Sequence, residues 1–519
     1  MIGDINEKGV SGSVIEPEQQ AARSRGGSHR AFLAYLLLAV LVIKLTLLAI
    51  DSYPRFLMGD SGSYLYTALT GWIPYDRSFT YGLLIRPLSV LPHSLAPLLV
   101  FQTLLGAFSS WIAGFCLLRY FEAPRWLAAA GALLCAIEPL QLFAERSVLT
   151  ETVSIFLFAM VVWLSLDYLQ SRRLLSLIAI QLLSVALISI RLSYLPLVIA
   201  DSILLPLLGP MSLSFFRAMT ARKGGMDAHP NGRVLRPFFR AAAHLGIAVM
   251  VCQAALYGYR HWNGHLTHRA PAYNYSDGLF LASFWAPVIE SRDFPIADLR
   301  DPIFNHLVFD LKNPKFRNNQ CFSPGGLDEN IIKETTSKFG GDGLTYPNKL
   351  AKKTALRAAK RNPLGLLHLF YVTAQEYFDP TYFRSTVQLE EGSVQVAGAE
   401  FDRELRDDFH QGYAPQRSTM IQRWHLSAEP WYQFLLLAPL VFLITAVASG
   451  RPYAREKIFF GVAVYGLTLG AIALTQEPSV RYMVPDAWLA PLIFGAPLAA
   501  MLSRRSRATL PFKSQRDNS

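Results

Sequence analysis

The residues able to do chemistry fall in three short stretches that lie far apart in the chain. The first is Gly59-Asp60-Ser61, with Tyr64 one helical turn further on. A carboxylate among apolar and aromatic side chains at a membrane surface can have a raised proton affinity and act as a base. Asp is also a favoured helix cap, and a cap on a helix starting near Ser61 is the competing reading of Asp60. The second stretch, Ala144 to Glu151, sets Glu145, Arg146 and Glu151 between two apolar runs. Charge near lipid is costly to bury and is usually paired or functional. A Glu145–Arg146 or Arg146–Glu151 ion pair closing a hairpin therefore stands beside a role in a site. The third stretch is Arg481-Tyr482, followed by Pro485 at the entrance to the last apolar run.

Further cations stand near these. Lys44 lies late in the first apolar run, Arg191 sits between two others, and Arg77 and Arg86 follow Asp60. Guanidinium binds phosphate oxygens through parallel hydrogen bonds, although either Arg77 or Arg86 alone also reads as an interfacial anchor. If the elements between them bring these cations to one membrane face, with Asp60, Glu145 and Glu151 among them, they suit an anionic, lipid-bound substrate beside a general base. Glu138 and Asp201, also within apolar runs, read as packing or cavity groups.

The elements that must position them are membrane spans. Of the 519 residues 52% are hydrophobic, and they fall in long runs rather than in the scattered pattern of a soluble core. About 20 apolar residues cross the hydrocarbon layer, where the backbone must satisfy itself as helix. The expected fold is all-α and polytopic, with ten spans at 31–50, 97–118, 126–144, 148–168, 174–191, 193–208, 240–258, 432–449, 457–474 and 485–502. The chain then divides into a polar, irregular cytoplasmic lead-in (1–30) and a first membrane module (31–258, with an outer loop at 51–96). An extracytoplasmic, mainly helical segment (259–431), a second membrane module (432–502) and a cytoplasmic tail (503–519) follow. The first run is long for a signal-peptide core and reads as a retained helix.

Charge sets the orientation. The formal net charge is +11, and the basic clusters Arg23 to Arg30, Arg119 to Arg125, Arg172-Arg173, 211–240, Arg451 to Lys457 and Arg504 to Arg507 all fall on one side of a ten-span arrangement. That side is cytoplasmic by the positive-inside rule, and it takes both termini with it. The long segment holds 20 basic and 20 acidic residues from Arg260 to Glu429, a balance the rule permits for long exported loops. Within it Asn348 to Lys360 and Leu364 to Phe378 read as helices separated at Asn362-Pro363, part of a cap on the membrane surface. The four cysteines build neither a disulfide framework nor a thiolate metal site. Binding of nucleic acid is not expected. No phosphate-binding glycine loop, HExxH or nucleophile elbow is present. An enzyme working on the outer face would therefore need a substrate already energised and delivered on a lipid.

In order and sidedness, Gly59-Asp60-Ser61 with Tyr64, the Arg146-to-Glu151 turn, and Arg481-Tyr482 with Pro485 resemble the GT-C superfamily of membrane glycosyltransferases. The closest branch is the protein O-mannosyltransferase and aminoarabinose-transferase-like group. The resemblance covers the membrane core, about half of the chain. It implies a polyprenyl-phosphate-sugar donor and inversion at the sugar carbon, with Asp60 as general base and Glu151, or else Glu145, as a second acid. It also implies Arg146, Arg191 and Arg481, with Lys44 and Arg86, around the carrier phosphate, and Tyr64 and Tyr482 against substrate. Ser61 stands where several relatives carry a second acid, which makes a two-carboxylate metal site in that loop unfavoured. The expected acceptor is an envelope glycan, lipid or protein, and the expected location a bacterial cytoplasmic membrane. The alternatives are a glycan polymerase or ligase, a transporter or flippase of lipid-linked glycans, and a non-catalytic envelope scaffold.

Overall fold

A computed structural model describes residues 16–57, 59–208, 235–341, 343–390, 399–413, 419–448, 452–475 and 479–508. Among them every regular element is helical, apart from one isolated parallel bridge between Arg55 and Ser147. Five helices are long and apolar enough to cross a membrane: His29–Ile50, Ala96–Tyr120, Glu151–Ser171, Phe239–Thr267 and Val480–Leu502. The architecture is that of a helical membrane protein.

All ten expected spans coincide with helices, but they are not equivalent. Leu174–Ile190, Leu192–Leu208 and Phe459–Ala471 are shorter apolar helices. The 17 residues of the first of these rise roughly 26 Å at 1.5 Å each, less than the ~30 Å hydrocarbon thickness. The expected continuous span at 126–144 is a correction. It is two helices, Arg125–Ile137 and Pro139–Arg146, bent by 46°. Pro139 cannot donate a backbone bond and pushes Glu138 into extended conformation, where its carboxylate accepts from Gln141 N at 2.7 Å. Glu138 thus caps the second arm, the packing role its sequence suggested.

Two more expectations change. The lead-in expected to be irregular is helical from Glu16 into the first apolar run, since extending an existing helix costs far less than nucleating one. The helix expected to end near 258 continues to Thr267. The basic segment at 211–240 lies largely outside the described residues.

The inserted segment builds a core of its own from residues including Leu279, Phe294, Ile303, Ile331, Leu350 and Ala355. Its helices Thr345–Arg361 and Pro363–Phe378 break at Asn362, whose side chain caps the second by accepting from Gly365 N. The segment then returns over the first loop. Leu405 and Phe409 join Phe56, Tyr64, Tyr81 and Val148 in a buried cluster, and Arg55 donates to Gln422 Oε1 at 2.8 Å and to Thr419 Oγ1 at 3.0 Å.

Close approach at one glycine fixes how the Ala96–Tyr120 helix meets the broken span. A Cβ on Gly106 would overlap the Glu145 carboxylate. Gly106→Ala is expected to destabilise the protein by about 1–3 kcal/mol, read as a lowered thermal midpoint in detergent. An unchanged midpoint would show that Glu145 can give way.

Candidate functional site

Asp60 is the first residue of the Asp60–Thr70 helix, entered from Gly59 in the left-handed region (φ 82°). The cap position belongs to Gly59, not to Asp60. Instead one carboxylate oxygen takes Arg77 and the other takes Arg481. The ion pairs, not the cap, describe what this carboxylate does. Arg77 also binds Asp76.

A second pair adjoins the first. Arg191, at the end of the Leu174–Ile190 helix, meets Glu151 at 2.8 Å, and Glu151 opens the Glu151–Ser171 helix. Tyr482 links the two pairs: its ring lies 4.7 Å from the Arg191 guanidinium and 5.1 Å from that of Arg481. An aromatic face between two cations is attractive to both. Tyr64 is buried one turn after Asp60, edge-on to Tyr81 at 5.1 Å. Burial, with the charge of Asp60, raises its hydroxyl above the ordinary tyrosine value, so it stays protonated.

The structure brings Asp60, Glu151, Arg191, Arg481, Tyr64 and Tyr482 into one region and separates the other candidates from it. Lys44 pairs with Glu145, and Arg146 lies 3.7 Å from the same carboxylate. Arg146 also donates to the Asp51 carbonyl at 2.7 Å and to Thr103 Oγ1 at 3.0 Å. Lys44 and Glu145 are 0% and 1% exposed, whereas Asp60, Arg77 and Arg481 are 22%, 17% and 24% exposed. Lys44, Glu145 and Arg146 therefore form a closed interior network, and the Asp60 cluster is the open one. Arg86 is a further correction: it is exposed on a π-helical turn, Arg86–Val90, and has no ion pair among the described residues.

The expected raised proton affinity of Asp60 is also corrected. Burial pushes its carboxyl up, but the charges of Arg481 and Arg77 outweigh burial and hold it below the usual 3.8. In the resting arrangement Asp60 is an ionised, doubly paired carboxylate and a weak base. Counting Asp60, Asp76 and Glu151 against Arg77, Arg191 and Arg481, the cluster is neutral as it stands.

Arg77 proves to be the partner of Asp60, and Gln102 was not singled out at all. Gln102 Nε2 donates to the Glu145 and Ser147 carbonyls, each at 3.0 Å, while Tyr81 donates to its Oε1 at 2.6 Å. Ser61 accepts from Leu57 N and donates to the Val148 carbonyl, at 2.9 and 3.0 Å. Its hydroxyl fixes the loop. His425, stacked on Phe143 at 4.5 Å and bonded to Tyr432 at 2.6 Å, is pushed down to about 3 by burial and so is neutral at ordinary pH. Among the described residues no group of three or more His, Cys, Asp or Glu side chains could hold a metal ion. No protein family, curated protein or solved structure matches the chain.

Two outcomes follow from this arrangement. A carboxyl held below 3.8 contributes stability that is complete above the unfolded value and is lost as the pH falls through the folded one. The thermal midpoint of wild type should exceed that of Asp60→Asn at pH 7, with the gap closing below pH 3.8. A gap independent of pH would rule out the ion pairs as its source. Breaking the interior network should be costly and non-additive: Lys44→Met alone is expected to lose about 3–5 kcal/mol, and Lys44→Met with Glu145→Met less than the sum of the two single losses. A double-mutant cycle by denaturation measures the difference, and additive losses would contradict the pairing.

Proposed function

We propose that the chain is a membrane glycosyltransferase that moves a sugar from a polyprenyl-phosphate carrier to an acceptor hydroxyl, with inversion, on the extracytoplasmic face. The observation that carries this reading is the partly open Asp60 carboxylate held between Arg77 and Arg481 beside the Arg191–Glu151 pair. A phosphate diester entering the cluster competes for the arginines. As Arg481 or Arg77 turns to the phosphate, Asp60 loses a counter-charge and its proton affinity rises. Donor binding thus switches on the base.

In the transfer, Asp60 takes the proton from the acceptor hydroxyl as that oxygen bonds to the anomeric carbon. The bond from that carbon to the phosphate oxygen breaks, and its electron pair leaves with polyprenyl phosphate. Arg481, Arg191 and Arg77 stabilise the charge that develops there, as preorganised cations do. Glu151 keeps Arg191 in position. The ten-span arrangement with cytoplasmic termini and a bacterial inner-membrane location belong to the same proposal.

The break at Glu138-Pro139 supports a second reading, transport of a lipid-linked glycan, since transporters place broken helices at their sites. Purified wild type and Asp60→Asn should bind the same polyprenyl-phosphate sugar within a few-fold. Transfer to envelope extracts should fall about 10²–10⁴-fold in the variant. Unimpaired transfer by Asp60→Asn would overturn Asp60 as base. Binding of no lipid-linked sugar by either protein would overturn the donor class, and movement of bound lipid across vesicles without transfer would favour transport.

A further inference from the structure

We infer that a cleft between the end of the Leu235–Thr267 helix and the Thr345–Arg361 helix is a binding site for a phosphate-bearing group at the membrane surface. The inference stands apart from glycosyl transfer. The cleft has a volume of about 340 Å³, within the range of small-ligand sites. Its walls include Arg260, Lys349 and Lys352 against one acid, Asp277.

The charges do not cancel. Asp277 is occupied by Lys352 at 2.6 Å and by Asn348 Nδ2 at 2.8 Å. Among the described residues Arg260 and Lys349 have no carboxylate partner. The Arg260 guanidinium lies 5.5 Å from the Tyr273 ring centre, and its Nε is buried with no hydrogen-bond partner. A buried donor left open is costly and no described carboxylate offsets it, so an anion in the cleft that Arg260 lines would supply the missing charge. A guanidinium and an ammonium converging on one cavity match the several acceptor oxygens of a phosphate.

The height of the cleft points the same way. Tyr257 and Trp262, on the same helix as Arg260, are exposed, and such rings settle at the level of lipid headgroups. The wall is also tied to the candidate site. Tyr275 N donates to the Tyr75 carbonyl at 2.7 Å, two residues before Arg77. Occupation of the cleft would therefore bear on the loop that holds Asp60.

The test is native mass spectrometry of the full chain in neutral detergent, titrated with phosphatidylglycerol or with diacylglycerol, which lacks the phosphate. Phosphatidylglycerol should bind and diacylglycerol should not. Arg260→Gln with Lys349→Gln should weaken binding by about tenfold or more, and Lys333→Gln, an exposed lysine elsewhere in the segment, should leave it unchanged. Should the double variant fail to fold, Lys349→Gln alone, at an exposed position, should still weaken binding about threefold. Displacement of the lipid by inorganic phosphate supports a site that reads phosphate alone, and retention of the lipid against it supports a headgroup site. Equal binding by the cleft variants and wild type, an equal loss in Lys333→Gln, or no binding of either phosphate source would overturn the inference.

Discussion

The candidate site depends on one short piece of backbone pairing. Arg55 N donates to the Arg146 carbonyl at 2.7 Å, and Val148 N donates back to the Arg55 carbonyl at 2.9 Å. This bridge holds the loop leading to Asp60 against the turn leading to Glu151, so the two acids start their helices from a common anchor. Ser61 and Gln102 reinforce it by donating to neighbouring carbonyls, Ser61 to that of Val148 and Gln102 to those of Glu145 and Ser147. In an apolar surrounding an unmet backbone group is expensive. The need to satisfy the turn at 147–150 and the helix end before it therefore specifies which polar side chains surround them.

Charge obeys a similar rule with a different result at each depth. In the interior, Lys44 pairs with Glu145, Arg146 lies beside the same carboxylate, and all three are closed to solvent. Nearer the surface, Asp60, Asp76 and Glu151 balance Arg77, Arg191 and Arg481 while several remain partly open. A closed pair gains nothing from a ligand. An open one can exchange partners with an anion at little net electrostatic cost, since each released charge finds a replacement. The two networks share residue types, and accessibility alone separates the closed set from the open one.

Much of this was legible in the sequence. The apolar runs gave the helices because a stretch of about 20 apolar residues in the hydrocarbon layer must satisfy its own backbone. Asp60, Glu151, Arg191, Arg481 and Tyr482 were found because each charge or its neighbour stands at the edge of such a run. What the sequence concealed was partnership. Lys44 and Glu145 are 101 residues apart and Asp60 and Arg481 are 421 apart, and no local pattern records which cation meets which acid. The sign of the Asp60 shift was misread for the same reason, since burial was visible and the two guanidiniums were not. Gln102 was invisible because its task, holding two carbonyls, leaves no trace in spacing. The break at Glu138-Pro139 did have a signal, the proline itself, which hydropathy alone overrode.

The distance in sequence between Asp60 and Arg481 has a consequence for how the protein is made. At about 5–20 residues per second, a ribosome needs roughly 20 to 80 seconds to reach the second arginine after completing the acid. For that interval Asp60 sits at the edge of an unfinished bundle with its other oxygen unfilled. Arg77, only 17 residues further along, emerges almost at once and can hold the carboxylate in a local hairpin until the last helix arrives. The last helix thus brings the final partner of Asp60, and the doubly paired carboxylate is complete only once that helix is in place.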